Sequence, residues 1–554
     1  MVKDLDKRPG NSCQLILLGL DGACWPVIKR FSRKAELAHM NRLLAKGAHT
    51  NLLSIIPPVT GPAWPAVATG LNPGRLGTFD FYNRRSLDDY TLFPVRSQQL
   101  RGRAFWDRLA NQGYRVGIFG YPMLVPAYEI DGWMVAGLGA SKLQQWVWPA
   151  NLANELDSIA QPYTISISYG HPKYENNREQ LLEDLSRQLE GQLAALAYLL
   201  REHPVDVLVA VLGVTDVLSH TMWHLWDPGH PQHDARQAAR LLPRILALWT
   251  RIDQAIGRFS QSLTSNGHLL IISDHGFGPS FGVFNANVWL ECYGFLKRQA
   301  GSGRWGNRLR SRAVAGLSPY LAPLFKKLQG TSFHAALRES ILREIDLEQT
   351  RAFALETIDL CGMIFVNRAY ARARNIEEKG FIAQTQAELQ EGLSTYGREN
   401  GLAIEVFLPQ DLYHGRYAEL APELLFTVND FKASVSYRFG RAIYEDRPHL
   451  PMKTGTHRRE GIFLASGPKV QPTAKIAPLD LLDIAPTIYH LLGEPVPAGL
   501  DGRVALEALL PEFRQVEVEQ SRQPAHEMLG PEAGIDLLEE ELMRQRLQDL
   551  GYLD

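Results

Sequence analysis

The sequence predicts an α/β fold with a mostly parallel central sheet, and two observations carry that expectation. The first is a set of short apolar runs with the length of buried strands: LILLGLD (15–21), VLVAVLGVTD (207–216), HLLIISD (268–274) and GIFLASG (461–467). The second is what lies between them. EQLLEDLSRQLEGQLAALAYLLREH (179–203) repeats leucine at three- and four-residue spacing, and LLPRILALWTRIDQAIGRF (241–259) is a second helical pattern. Strands alternating with long helices give a parallel sheet. At 554 residues the chain exceeds the usual limit of a single core, so one large α/β domain with insertions, or two domains, is expected.

Composition narrows the function classes. A hydrophobic content of 45% and a charged content of 21% are ordinary for a soluble globular protein. The net charge of -2 argues against whole-surface attraction to nucleic acid or an acidic membrane, and sequence-specific nucleic-acid binding is not expected. The four cysteines, Cys13, Cys24, Cys292 and Cys361, are scattered, which suits a reducing compartment and offers no thiolate metal site. The polar start, MVKDLDKRPGNS, runs into an apolar stretch, Leu15 to Leu20, too short for a signal-peptide core. No window reaches transmembrane length, so a cytoplasmic location is expected.

Two regions interrupt the α/β rhythm. From Cys292 to Arg338 there is no Asp or Glu but there are nine Lys or Arg, including Arg304, Arg308, Arg310, Arg312, Lys326 and Lys327. Trp305, Leu309 and Ala313 recur at four-residue spacing there, as on an amphipathic helix. A solvated insertion is the plain reading of this stretch. The sharper one is a lid or docking surface that draws anionic substrate, or an anionic membrane, towards the active centre. After Arg503 the chain ends in a charged helical pattern, LLEEELMRQRLQDLGYLD, expected to cap the domain edge. The resulting division is a catalytic domain over 1–503, a basic helical insertion within it at 292–345, and a helical tail at 504–554.

Three of the apolar runs stop at an aspartate: Asp21, Asp216 and Asp274. In open α/β sheets ligands sit beyond the carboxyl ends of the strands. Three carboxylates delivered there repel one another unless cations balance them. An Asp after a strand is commonly a turn former or helix cap, but histidines accompany two of these. His220 follows Asp216 by four residues, which puts both on one face of a helix. His275 follows Asp274 directly in SDHGFG, where Gly276 and Gly278 would permit the turn that lets both reach one ion. His457 stands in TGTHRREG, just before the apolar run 461–467. Mixed Asp and His ligands suit zinc, or manganese as the harder alternative. His224, His230 and His233 lie close to His220 in sequence but lack an equally good context.

A nucleophile candidate lies in IPPVTGPAWPAVATGLNPGRLGTFDF (56–81). Thr60 is flanked by Pro57, Pro58 and Pro62, which stiffen the backbone, although a Thr among prolines reads by itself as a loop residue. A free threonine hydroxyl is a poor nucleophile and needs a base or a metal beside it. The aspartates and histidines above would supply that metal. Trp64, Phe79, Phe81 and Tyr82 read chiefly as core, with stacking on a base or lipid-like group as the alternative.

In this order, LGLDGA (18–23), the P-x-x-T-x-P segment around Thr60, D-x-x-x-H, S-D-H-G and the late T-x-H resemble the alkaline phosphatase superfamily. The closer likeness is to its type I phosphodiesterase and nucleotide pyrophosphatase branch. LYHGRYAELAPELLF (412–426) is similar to that branch's Y-x-G followed by A-P-D-L, with Glu423 in place of the usual Asp. The resemblance runs to LDIAPTIYHLLGEPVPAGLDGR (482–503), about nine tenths of the chain. It implies a largely parallel sheet sandwiched by helices and two divalent ions, zinc or manganese. Asp216, His220 and His457 would hold the first ion; Asp21, Asp274, His275 and the oxygen of Thr60 would hold the second.

The implied reaction is in-line displacement at phosphorus through a phosphothreonine intermediate, with ions about 4 Å apart clamping the entering and leaving oxygens. A small-molecule phosphodiester, pyrophosphate or nucleotide-like substrate is expected. The alternatives are a phosphomonoesterase or phosphotransferase of the same superfamily, or a non-catalytic, metal-stabilised binding protein. One departure stands out. Ala63 occupies the place where the branch commonly has an Asn that contacts a phosphoryl oxygen, and Trp64 follows it. Sulfatases, with a Cys or Ser in a C-x-P-x-R segment, differ at both Thr60 and Trp64.

Overall fold

The computed structural model describes residues 12–32, 37–299, 341–355, 357–447, 452–472 and 475–518. Most of the expected basic insertion, and all of the expected C-terminal helical pattern at 537–554, therefore lie outside the described residues.

A nine-stranded sheet forms the centre, its strands numbered here in chain order: β1 (Cys13–Leu20), β2 (Ala48–Leu53), β3 (Val116–Tyr121), β4 (Gly132–Ala136), β5 (Val147–Trp148), β6 (Val207–Leu212), β7 (Leu263–Ile272), β8 (Glu460–Ser466) and β9 (Leu479–Asp480). Across the sheet the order is β9-β2-β8-β7-β1-β6-β3-β4-β5. β1 pairs in parallel with β6 and β7, β3 with β6 and β4, and β2 with β9; β8 runs antiparallel to β2 and β7, and β5 antiparallel to β4. β6 is buried at every residue, and β1 at all but Gln14. Helices cover both faces of such a sheet, which is why these strands read as unbroken apolar runs instead of alternating ones.

Four helices matter for the site: α1 (Thr60–Thr69), α2 (Arg178–Glu202), α3 (Val214–Trp226) and α4 (Ala235–Gln261). α2 matches the leucine pattern and is capped by Asn177, whose side chain accepts from Gln180 N–H. α4 begins six residues before the expected 241, because Asp234 caps it by accepting from Arg236 and Gln237 N–H. The run expected as a strand to Asp216 ends at Leu212, and Asp216 lies in the first turn of α3.

A second core sits beside the first. Phe284, Trp289, Phe353, Ile364, Leu389 and Phe426 pack together around a four-stranded antiparallel sheet made of Ala352–Ala354, Gly362–Val366, Leu424–Val428 and Ile404–Phe407. Glu423 anchors it: buried, it pairs with Arg84 at 2.8 Å and Arg368 at 3.2 Å and accepts from Val366 N–H at 3.0 Å. At the other end Val504, Ala505, Ala508 and Leu509 pack into the main core. Among the described residues no helix is long and apolar enough to cross a membrane.

Candidate active site

One edge of the sheet collects the chemistry. β1, β2, β6 and β7 run in the same direction, so their carboxyl ends open on that edge and lead into Asp21, Thr60, Asp216 and the Asp274–His275 pair. β8 runs the other way and presents its amino end there, which is why His457 precedes its strand while the aspartates follow theirs. The structure brings together Asp216, His220 and His457 as one group, and Asp21, Asp274 and His275 as another. Within each group the potential ligand atoms lie within 4.8 Å of one another, and all six residues are buried.

Each side chain has a local cause for its place. Asp216 and His220 are one turn apart on α3, with Oδ1 and Nε2 3.5 Å apart. His457 lies on the short strand Gly455–Arg458, which pairs antiparallel with Gly276–Pro279 so that Phe277 faces His457. That ribbon stacks the His275 and His457 rings, with centroids 3.6 Å apart. Gly276 and Gly278 are therefore strand residues, not the turn their spacing suggested. A Cβ on Gly276 would come within 2.1 Å of the Glu460 carbonyl, so close approach to a backbone requires glycine there; one on Gly278 would meet the Arg458 guanidinium at 2.8 Å. Asp21 accepts from Trp64 Nε1 at 3.2 Å, while Thr215 Oγ1 donates to the Asp21 carbonyl at 2.6 Å. Asp274 accepts from Gly22 N–H at 3.2 Å.

The histidine tautomers follow from their second nitrogens. His220 Nδ1 lies 3.0 Å from the Gly455 carbonyl, His457 Nδ1 2.8 Å from that of Pro58, and His275 Nδ1 3.2 Å from that of Gly276. A carbonyl only accepts, so each Nδ1 carries the proton and each neutral ring presents a lone pair at Nε2. Burial pushes all three rings towards the neutral form: His220 and His275 lie well below the usual range, with the neighbouring His457 as the second cause, and His457 falls to about 3 through burial and then the Lys453 charge. Yet His457 Nε2 and His220 Nε2 are 2.9 Å apart. Two lone pairs at that separation repel, and a cation between them removes the repulsion.

The carboxylates make the same demand. Asp21 is raised well above the usual range by burial and then by Asp274 and Asp216, and Asp274 is raised to about 7 by burial and the Asp216 charge. Among the described residues neither Asp21 Oδ1 nor Asp274 Oδ2 has a hydrogen-bond partner. His275 Nε2 bridges the two groups, 3.3 Å from Asp274 Oδ2, 3.6 Å from Asp21 Oδ1 and 4.0 Å from Asp216 Oδ1. The donor set thus fits two divalent ions, with second-nitrogen carbonyls orienting each imidazole as metal-ligating histidines require.

Thr60, expected from its prolines to be a loop residue, is instead the first residue of α1. Proline is tolerated in a first helical turn, and Pro62 falls there. Its hydroxyl lies 3.2 Å from His275 Nε2, the lone-pair nitrogen, and donates to it. Trp64, Phe79, Phe81 and Tyr82 are all buried, so the core reading of that aromatic cluster holds. His224, His230 and His233 stand apart from both groups: His224 contacts Thr454 Oγ1 and Gln237 Oε1, His230 the Ser280 carbonyl, and His233 the His224 carbonyl. The role of Trp64 as a donor to Asp21 was not legible in the sequence, where Trp64 reads only as a core or stacking aromatic.

Asp21 and Asp216 also line a small cavity of about 40 Å³ with Gly120, Gly137 and Ile165. Ser166, Ile167 and Gln188 line both this cavity and a surface groove of about 700 Å³.

A family model described as type I phosphodiesterase / nucleotide pyrophosphatase matches residues 15–457. Among solved structures, murine ectonucleotide pyrophosphatase / phosphodiesterase 5 is similar over 87% of this chain and 96% of that chain, at 11% sequence identity and a TM-score of 0.47. No curated protein sequence matches the chain.

Proposed function

From its membership of the type I phosphodiesterase / nucleotide pyrophosphatase family, a branch of the alkaline phosphatase superfamily, we propose that this chain is a two-metal phosphohydrolase with Thr60 as nucleophile. Its substrate is a small phosphodiester or a nucleotide-like pyrophosphate. Asp216, His220 and His457 hold one divalent ion; Asp21, Asp274, His275 and the Thr60 oxygen hold the other. Zinc suits this mixture of imidazole and carboxylate best, with manganese as the harder alternative. Bound there, such ions neutralise the buried carboxylates and stabilise charge at phosphorus and on the entering and leaving oxygens.

The chain's own residues do the rest. The Thr60 hydroxyl loses its proton to solvent as its oxygen forms the bond to phosphorus and the bond to the leaving alcohol or phosphate breaks; the leaving oxygen takes a proton from solvent, and water then cleaves the phosphothreonine ester, giving its OH to the phosphate and a proton back to Thr60. Thr60 stands at the amino end of α1, where the partial positive charge of the helix favours a phosphoryl oxygen. The Gly455, Pro58 and Gly276 carbonyls hold the three imidazoles in the tautomer that keeps Nε2 free. Burial of Thr60 and the six ligands keeps competing water away from the reacting centre.

The observation that supports this reading is the 2.9 Å approach of two Nε2 atoms beside buried carboxylates, an arrangement that a bound cation relieves. The test is turnover by zinc-replete protein of a chromogenic phosphodiester, its monoester and a sulfate ester. Diester turnover well above the other two is expected, lost on chelation and regained with zinc or manganese. Preference for the monoester would reassign the chain to the phosphomonoesterases. Full activity after metal removal, verified by elemental analysis, would refute the mechanism.

A further inference from the structure

Asp21 and Asp216, one from each ligand group, line the cavity of about 40 Å³, and the surface groove of about 700 Å³ lies against it. The cavity sits beyond the carboxyl ends of the parallel strands β1, β6, β3 and β4, where open α/β sheets take their ligands. The segment 164–168 forms the wall between the two spaces. Its Ser166 and Ile167, with Gln188 of α2, line both. This segment belongs to no helix or strand. It is tied to α2 through the Ile165 carbonyl, which accepts from Gln188 Nε2 at 3.1 Å and Gln192 Nε2 at 3.0 Å. Tyr169, the next residue, stacks on His220 with ring centroids 5.5 Å apart. A groove of ligand size is thus one wall away from both ligand groups.

The lining sets the kind of group that fits. Its charges pair with one another: Lys173 Nζ lies 3.2 Å from Asp184, Arg187 pairs with the same carboxylate, and Glu190 pairs with Arg251 at 2.7 Å. A charged ligand would have to break these pairs. Tyr174 is the one Phe, Tyr or Trp among the described residues that line the groove. It is buried, its hydroxyl donates to Asp184 at 2.7 Å and Lys173 Nζ stands 4.6 Å from its ring centroid, so it offers a base no open face. Gln161, Thr164 and Ser168 complete the polar lining with an amide and two hydroxyls, which both donate and accept. That mixture matches a neutral, hydroxyl-rich group better than a nucleobase or a second anion.

We propose that the groove binds the organic group esterified to phosphorus, and that this group is a sugar or another polyol, its phosphoryl end reaching Asp21 and Asp216 past Ser166 and Ile167. This rests on the phosphohydrolase reading above and narrows it to polyol phosphodiesters.

Three diesters with one leaving group test it on the zinc-replete, full-length chain: the 4-nitrophenyl phosphates of glucose (through its 6-hydroxyl), of thymidine (through its 5′-hydroxyl) and of methanol. The glucose diester should have the highest kcat/KM. Ala194 lines the groove from an exposed position on α2, outside both ligand groups, so Ala194→Trp fills the groove without entering the reacting centre. That variant should lower kcat/KM about tenfold for the glucose diester and leave the methyl diester near wild type. Thr164→Ala/Ser168→Ala removes only two hydroxyls and should cost the glucose diester alone about threefold or more. A glucose diester not preferred over the thymidine diester, or an Ala194→Trp effect that is equal for all three or absent, overturns the proposal. If wild-type protein binds zinc yet cleaves none of the three, the phosphohydrolase reading fails. Titration calorimetry with the glucose diester then decides the groove by itself: binding to wild type that Ala194→Trp loses is expected, and equal binding or none refutes it.

Discussion

Asp274→Asn separates what this buried carboxylate costs from what it binds. In the metal-free chain Asp274 is fully buried, and its acid is pushed up to about 7, first by burial and then by the Asp216 charge. Because the folded-state value is raised above an unfolded value of ~3.9, the contribution is present in full below about pH 4 and is lost as pH rises through about 7. Above that the folded chain carries a buried anion at a cost of about 4 kcal/mol. Asparagine keeps the oxygen that accepts from Gly22 N–H and removes the charge beside Asp21 and Asp216. In chelator, the variant should therefore match wild type near pH 4 and exceed it near pH 8.5 by about 4 kcal/mol. With an unfolding entropy of about 2.1 cal/mol/K per residue over the 554 residues, that is ~4 °C in Tm. Saturating zinc at pH 8.5 should reverse the order, because wild type gains binding energy and the variant has lost an anionic ligand. Calorimetric melts at both pH values, with chelator and with zinc, give the comparison. A variant less stable than wild type in chelator at pH 8.5 would refute the argument, since Asp274 would then be stabilised by the protein itself.

Thr60→Ala should abolish turnover with zinc content and Tm near wild type, because six protein ligands remain and only the attacking oxygen is gone; Thr60→Ser should keep partial activity. Wild-type rates in zinc-replete Thr60→Ala would remove Thr60 as nucleophile. His457→Ala should lose about one zinc per chain by elemental analysis, since Asp216 and His220 alone make an incomplete set; full retention would dissolve that site. Trp64→Phe deletes the indole donor to Asp21 and keeps most of the ring volume. It should lower zinc affinity roughly 10–100-fold, and unchanged affinity would leave Trp64 as core alone.

The parts legible in the sequence are those where one-dimensional pattern and three-dimensional cause coincide. β1, β6 and the last six residues of β7 are buried on both faces and so appear as apolar runs, and the residues that end or follow them stand out by contrast. Asp216 and His220 are legible as a pair because a single helical turn joins them. α1 is not, since all ten of its residues are buried and it has no polar face to set a period; its prolines then pointed to a loop. The four-stranded sheet of the second core is assembled from strands of three to five residues, too short for an alternation to be read. Lys453 and Asp359, a buried ion pair, lie 94 residues apart, and nothing local in either segment names its partner. His457 falls between these cases. Its motif was visible, but its nearness to His220 depends on β8 running against its neighbours, so that a residue before one strand meets residues after three others. Order along this chain therefore reports how the sheet is wound, and the 2.9 Å contact between two imidazoles 237 residues apart is a product of that winding.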